Sequence, residues 1–311
     1  MNNKLTFTGA NILFLIFTVI FLGYQFVLGI ILGEALTDYV YLIVIINQLI
    51  ILASVLIYCF VKKINIKETF RFNNPGLIPI LVITLLALPA TFAAGMFNTI
   101  MVYLLQFIGD IPSAGIPVPQ NLPELLTGIL IIGVMPGVCE EMLHRGLLLR
   151  SYERRGSYKA LIIVAIFFGL FHFDITNLLG PILLGLIIGY YVIRTNSIWA
   201  GIYAHFLNNT IATIIQFIAK ESQPEKLTVS GIELTSTVII GLVCLGITAG
   251  LLILFKNVTE NRAVIVPPIS RIGKDVKAVL THWPIILYLL LYFIMTMLYL
   301  LTIVLSKNLG I

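Results

Sequence analysis

Glu140, Glu141, His144 and Arg145 sit late in a run that begins near Leu122 and is otherwise almost wholly apolar. An ionisable group inside a membrane span costs roughly 3 kcal/mol on insertion scales, so such a cluster points to a functional site with partners on neighbouring helices. Glu141 and Arg145 stand four apart, the spacing of a helical ion pair, which lowers the cost of burying both charges. Glu140 points about 100° away around the helix and has no obvious local cation. A desolvated carboxylate of that kind suits a general base.

The partners are sought among the histidines. His172 ends the run Phe167-Phe168-Gly169-Leu170-Phe171-His172, and His205 follows Ile202-Tyr203-Ala204. Asn209 comes one turn after His205, on the same helical face. His144 is read as peripheral and His282, beside Trp283, as interfacial. Basic residues mark one end of each helix. On a rise of 1.5 Å per residue, Glu140 lies about 15 Å above Arg150, His172 about 20 Å above Lys159 and His205 about 16 Å above Arg194. That common depth favours one shared site over three separate core groups. In such a site Glu140 and His172 could activate a water, with His205 and Asn209 as donors to a developing oxyanion. The set suits amide hydrolysis. A zinc site with two histidines and a carboxylate is the rival arrangement, and a hydrogen-bonded core network is the structural alternative. Water activation without a metal is favoured. Cys139 diverges by about 100° from Glu140 and is read as packing. No His-Glu-x-x-His helix, Gly-x-Ser-Gly nucleophile or pair of intramembrane aspartates is found.

The elements that must position these groups follow from composition. The chain has 311 residues, 59% hydrophobic and 11% charged, where a soluble domain carries about 25% charged residues. The fold class is all-α, a polytopic helical bundle, because the apolar runs are too long and unbroken for barrel strands. Nine segments are marked, at roughly 10–32, 39–61, 77–107, 122–150, 159–175, 178–194, 197–219, 236–255 and 284–306, for about eight or nine spans of about 20 residues. The first is read as a retained helix. Three cysteines are too scattered for a disulfide framework or a zinc ribbon.

Basic residues fill every second connector: Lys62 to Arg71, Arg150 to Lys159, Arg194, and Lys256 to Lys277. The others are acidic or mixed: Glu34 and Asp38; Asp110 and Glu124; Asp174; then Lys220, Glu221, Glu225, Lys226 and Glu233. The positive-inside rule puts the N-terminus in the cytoplasm and, if all nine segments span, the C-terminus outside. This distribution, not a nucleic-acid partner, accounts for the net charge of +5. Linker 256–283 is expected to lie partly along the membrane surface if the eighth or ninth segment does not span. Pro136, one turn before Glu140, should kink its helix or free a carbonyl. Gly133 with Gly137, and Gly185 with Gly189, permit close helix approach.

Glu140-Glu141-x-x-x-Arg145, Phe168-x-x-x-His172 and His205-x-x-x-Asn209, in that order and with Ser197-Ile198-Trp199, resemble the CPBP family. These are the CaaX-protease and bacteriocin-processing membrane proteins, also called Abi. The resemblance covers about residues 120–215 and divides the chain into N-terminal helices (1–119), a catalytic core (120–219) and C-terminal helices (220–311). It implies a helical bundle with an intramembrane cavity, and proteolysis in at least some members. By motif position Glu140 and His172 would activate water, and His205 with Asn209 would stabilise the oxyanion. Glu141, Arg145 and Phe168 would support the site. Members are often described as metalloproteases, and the glutamate-water reading needs no metal, so the metal stays open. The expectation is an intramembrane endopeptidase of a prokaryotic plasma membrane, acting on a membrane-associated protein or peptide. The alternatives are a non-catalytic scaffold or bacteriocin immunity protein and, more weakly, a transporter.

Overall fold

The structure is a computed structural model. It describes residues 5–113, 117–219 and 226–309, without the side chains of Glu34, Asn308 and Leu309. Lys220, Glu221 and Glu225, and part of the loop 110–123, lie outside the described residues.

A backbone in lipid has no water to satisfy its polar groups, so long apolar runs become helices. Each of the nine apolar segments does so. The long helices are α1 (Phe7–Leu32), α2 (Val40–Val61), α4 (Leu77–Leu105), α5 (Leu122–Arg155), α6 (Ser157–Leu170), α7 (Leu179–Thr195), α8 (Ile198–Ala219), α9 (Gly231–Val258) and α11 (Trp283–Leu309). Two short helices, α3 (Ile66–Phe70) and α10 (Ile272–Leu280), lie in connectors. Among the described residues six helices are long and apolar enough to cross a membrane: α1, α2 with its preceding turn, α4, α5, α9 and α11. Helices α6 and α7 have 14 and 17 residues, or about 21 and 26 Å, against a hydrocarbon core of about 30 Å. Helix α8 is 22 residues long, and its His205, Asn208 and Asn209 dilute its apolar character. Caps fix several starts. Thr6 accepts from the Gly9 N–H, Asn121 from that of Glu124, and Ser230 with Glu233 forms a capping box at α9.

The basic connectors gather on one face of the bundle. Arg71 and Arg150 reach Glu153, Arg155 and Lys159 reach Asp275, and Arg194 bonds the Lys256 carbonyl. Gly156, at φ +118, turns α5 into α6 there, and a Cβ on it would come 3.0 Å from Pro268. The opposite face holds the small antiparallel pair β1 (Ile111–Pro112) and β2 (Lys226–Leu227), with Ile111 opposite Leu227. Lys226 pairs with Asp110 there, and Ser306 near the end of α11 bonds the Asp110 carbonyl. Leu5 lies beside Lys67 and Arg150 on the basic face, so the two ends of the described chain are on opposite faces.

Two of the buried cores dominate the bundle. One stacks Phe14 and Phe17 of α1, Phe167 and Phe171 at the end of α6, and Tyr288 of α11. The other joins Leu86 of α4, Ile187 and Tyr191 of α7 and Phe255 of α9. The glycine pairs are packing features. A Cβ on Gly137 would lie 3.2 Å from the Ile202 carbonyl of α8, and one on Gly185 3.0 Å from Ala165 of α6.

Candidate active site

Helix α5 is irregular where the ionisable cluster sits. Wide π turns cover Ile129–Val134 and Met142–Leu149, on either side of Pro136. Such turns re-aim side chains and are frequent at functional sites. Pro136 has no N–H for the Ile132 carbonyl four residues back. Asn209 of α8 takes that place, its Nδ2 donating to the Ile132 oxygen at 2.8 Å. The freed carbonyl thus ties α5 to α8 and fixes Asn209.

Glu141 and Arg145 form the expected i,i+4 pair at 2.5 Å, both almost fully buried. Arg145 also donates to the Gly185 carbonyl at 3.1 Å and lies over the Phe168 ring, 4.6 Å from its centre. His205 Nδ1 is 3.0 Å from the same Glu141 oxygen, so a carboxylate there receives the Nδ1 proton. Gly201 admits this arrangement, since a Cβ on it would lie 2.8 Å from the other Glu141 oxygen. The pair binds α5, α7 and α8 together.

Glu140 is held differently. Gln48 of α2 donates to its Oε1 at 2.9 Å. Its Oε2 is buried with no hydrogen-bond partner among the described residues and lies 4.0 Å from His205 Nε2. A water to one side of that line is within reach of both atoms. His172 bonds the Phe168 carbonyl through Nδ1 at 2.9 Å. A carbonyl only accepts, so Nδ1 carries a proton, and in the neutral ring Nε2 keeps its lone pair. The Phe168 ring meets His172, His205 and His144 edge to face. Glu140, Phe168, His172, His205 and Asn209 line one cavity of about 460 Å³. The set that shared a depth in the sequence shares a cavity in the fold. Glu141 and Arg145 stand behind it.

One placement differs from expectation, and two others narrow it. His144 is not peripheral. It is fully buried, bonded through Nδ1 to the Glu140 carbonyl at 2.9 Å and packed on Phe14, Phe168 and Phe171. Its position near a helix end was a poor guide because α2, α3 and α6 pack around that turn. His205 does not offer Nδ1–H to an oxyanion, because Glu141 takes it; only an Nε2 proton is left to donate. Asn209 spends one amide hydrogen on Ile132 and its oxygen on Asn208 at 3.1 Å, leaving one hydrogen.

Polar groups from outside the motifs complete the walls. Gln48 was missed. So were Asn98, bonded to Asn177 and the Gly180 N–H, and Asn208, bonded to Thr91. The signal was present, since an amide within an apolar run marks a functional position by the same cost argument applied to Glu140. Cys139 is buried, in keeping with packing. Among the described residues no three His, Cys, Asp or Glu side chains converge as ligands for a metal ion. Nδ1 of each cavity histidine is already engaged.

The family model for type II CAAX prenyl endopeptidases, Rce1-like, matches residues 122–211. This agrees with the CPBP resemblance carried by the motifs, and the match spans all six candidate residues. A Bacillus subtilis (strain 168) protein named "Putative membrane peptidase YdiL" is 26% identical over 180 residues, which is 54% of this chain and 72% of that protein. No solved structure matches the chain significantly.

Proposed function

We propose that this membrane protein is an intramembrane endopeptidase that hydrolyses a peptide bond of a membrane-associated protein or peptide. The observation that carries the reading is the free Oε2 of Glu140 in a cavity shared with His172 and His205. Glu140 accepts a proton from water as the water attacks the scissile carbonyl. His172, with Nε2 unprotonated, orients the same water. In its imidazolium form, supported by Glu141, His205 turns an Nε2–H toward the place where the oxyanion develops, and the remaining Asn209 hydrogen adds a second donor. The proton held by Glu140 then passes to the leaving amine, so the carboxylate is restored and no atom is left unbalanced.

Glu141 and Arg145 are positioning residues in this scheme. Their pair fixes His205, and Phe168 separates the rings. The Rce1-like match and the peptidase name of the Bacillus relative support the reaction class. The alternation of basic connectors supports a cytoplasmic N-terminus in this reading, with a prokaryotic plasma membrane as the proposed setting. A scaffold or immunity protein would not need Glu140. The test is cleavage of membrane peptides by the protein reconstituted in liposomes. Glu140→Gln is expected to lower the rate by about 10²–10⁴-fold at unchanged thermal stability. Full activity of that variant would overturn the proposal.

A further inference from the structure

Helix by helix, the cavity takes its walls from the half remote from the basic connectors. Tyr41 lies near the start of α2, whereas Lys62 and Lys63 follow its end. Asn98 lies late in α4, which begins just after Arg71. Ile132 precedes Glu140 on α5, whereas Arg150 and Arg154 come after it. Gly180 opens α7, and Arg194 closes it. Ala212 lies in the half of α8 beyond His205. Asn177 belongs to the loop between α6 and α7, on that same remote face.

The other direction is sealed. Every residue of α5 from Cys139 to Leu149 is buried, and the Phe70 ring sits against Gly146 so closely that a Cβ there would be 2.2 Å away. A second basin, of about 660 Å³, opens on the basic face around Lys67, Arg150 and Arg154. It shares no lining residue with the Glu140 cavity.

We infer that the scissile bond is reached from the face opposite the basic connectors, so that the substrate is an extracytoplasmic, membrane-proximal stretch of a membrane-associated polypeptide. The inference rests on the peptidase reading above and on the positive-inside rule, which assigns the basic face to the cytoplasm. The walls add a chemical restriction. Beyond the bonds they make with one another and with Thr91, the amides of Asn98, Asn177 and Asn208 keep N–H groups that match the carbonyl acceptors of an extended peptide backbone. No Lys or Arg lines the cavity among the described residues. Uncharged side chains around the scissile bond fit such walls best.

The test is site-directed thiol labelling in intact cells. Cys59, Cys139 and Cys244 are first replaced by alanine. Asn177→Cys then reports the cavity mouth, with Asp110→Cys and Lys63→Cys as markers of the two faces. A membrane-impermeant maleimide is expected to label Asn177→Cys and Asp110→Cys in intact cells, and Lys63→Cys only after permeabilisation. Labelling of Asn177→Cys only after permeabilisation would overturn the inference. So would its protection in both states while Asp110→Cys reacts from outside. Labelling does not depend on hydrolysis, so a wrong face and a missing activity give separate readings.

Discussion

Helix α5 carries three buried carboxylates, and the two nearest its ends, Glu140 and Glu153, are treated in opposite ways. Glu153, near the basic end, is wholly buried and receives Arg71, Arg150 at 3.2 Å and the Ser157 hydroxyl at 3.3 Å. Glu140, on the order of 20 Å away along the helix, has one amide donor and one oxygen without a partner among the described residues. A carboxylate with cations on it is spoken for, and its charge holds loops together. A carboxylate with a free oxygen facing a cavity is available to take a proton. The same contrast separates Glu141 from Glu140, adjacent in sequence. The first receives Arg145 and His205 on one oxygen, and its other oxygen, also without a partner among the described residues, does not line the cavity that Glu140 lines.

Perturbing the closed partner should therefore cost stability. Glu153→Ala leaves Arg71 buried without its counter-ion and is expected to lower unfolding free energy by about 3–5 kcal/mol, read by thermal unfolding in detergent. Any loss of cleavage should only follow the folded fraction. Activity that falls while stability holds would erase the distinction between the two sites. Gln48→Leu removes the one donor on Glu140 at similar volume. A hydrogen bond to a charged group contributes about 1.5–3 kcal/mol, so kcat/KM should fall about 10–100-fold with the fold retained. Unchanged kinetics would mean that Gln48 does not orient the base.

Asn209→Ala unpairs the Ile132 carbonyl that Pro136 leaves free, and a buried unsatisfied group costs about 1–3 kcal/mol. Both melting temperature and rate should drop. A rate loss alone would show that its second amide hydrogen matters more than the tie between helices.

The smallest effect concerns the connector that pins α10 to the basic face. Burial pushes the Asp275 carboxyl up, but hydrogen bonds from Lys159, Ser270 and Arg155 outweigh this and bring it from the ordinary 3.8 to about 2. A carboxylate with a lowered folded-state pKa stabilises fully above its unfolded value and loses that contribution as pH falls through the folded value. Hydrogen exchange over Ile272–Leu280 should thus show undocking only between about pH 4 and 2. Asp275→Asn should show faster exchange there at neutral pH, without effect on cleavage.

The sequence made much of this legible because membrane helices expose their exceptions. Each apolar segment became a helix, and the i,i+4 spacing identified the Glu141–Arg145 pair. The depth comparison brought Glu140, His172 and His205 to one level. What stayed hidden was pairing between helices. Nothing in the spacing of His205 told that Glu141 would take its Nδ1 proton, since that depends on Gly201 letting α8 approach α5. His144 was misplaced because its burial comes from packing by α2, α3 and α6. Gln48 carries no charge and so stands out less than Glu140 in an apolar run, although an amide there is informative for the same reason. The span count is not fixed by length either, because α6 and α7 are short.

The most direct measurement of the central claim compares the peptides released in membranes carrying wild-type protein with those carrying Glu140→Gln or Glu153→Ala at matched folded abundance. The account predicts a set of cleavage products present with wild type and with Glu153→Ala and absent with Glu140→Gln. The same products from Glu140→Gln would contradict it.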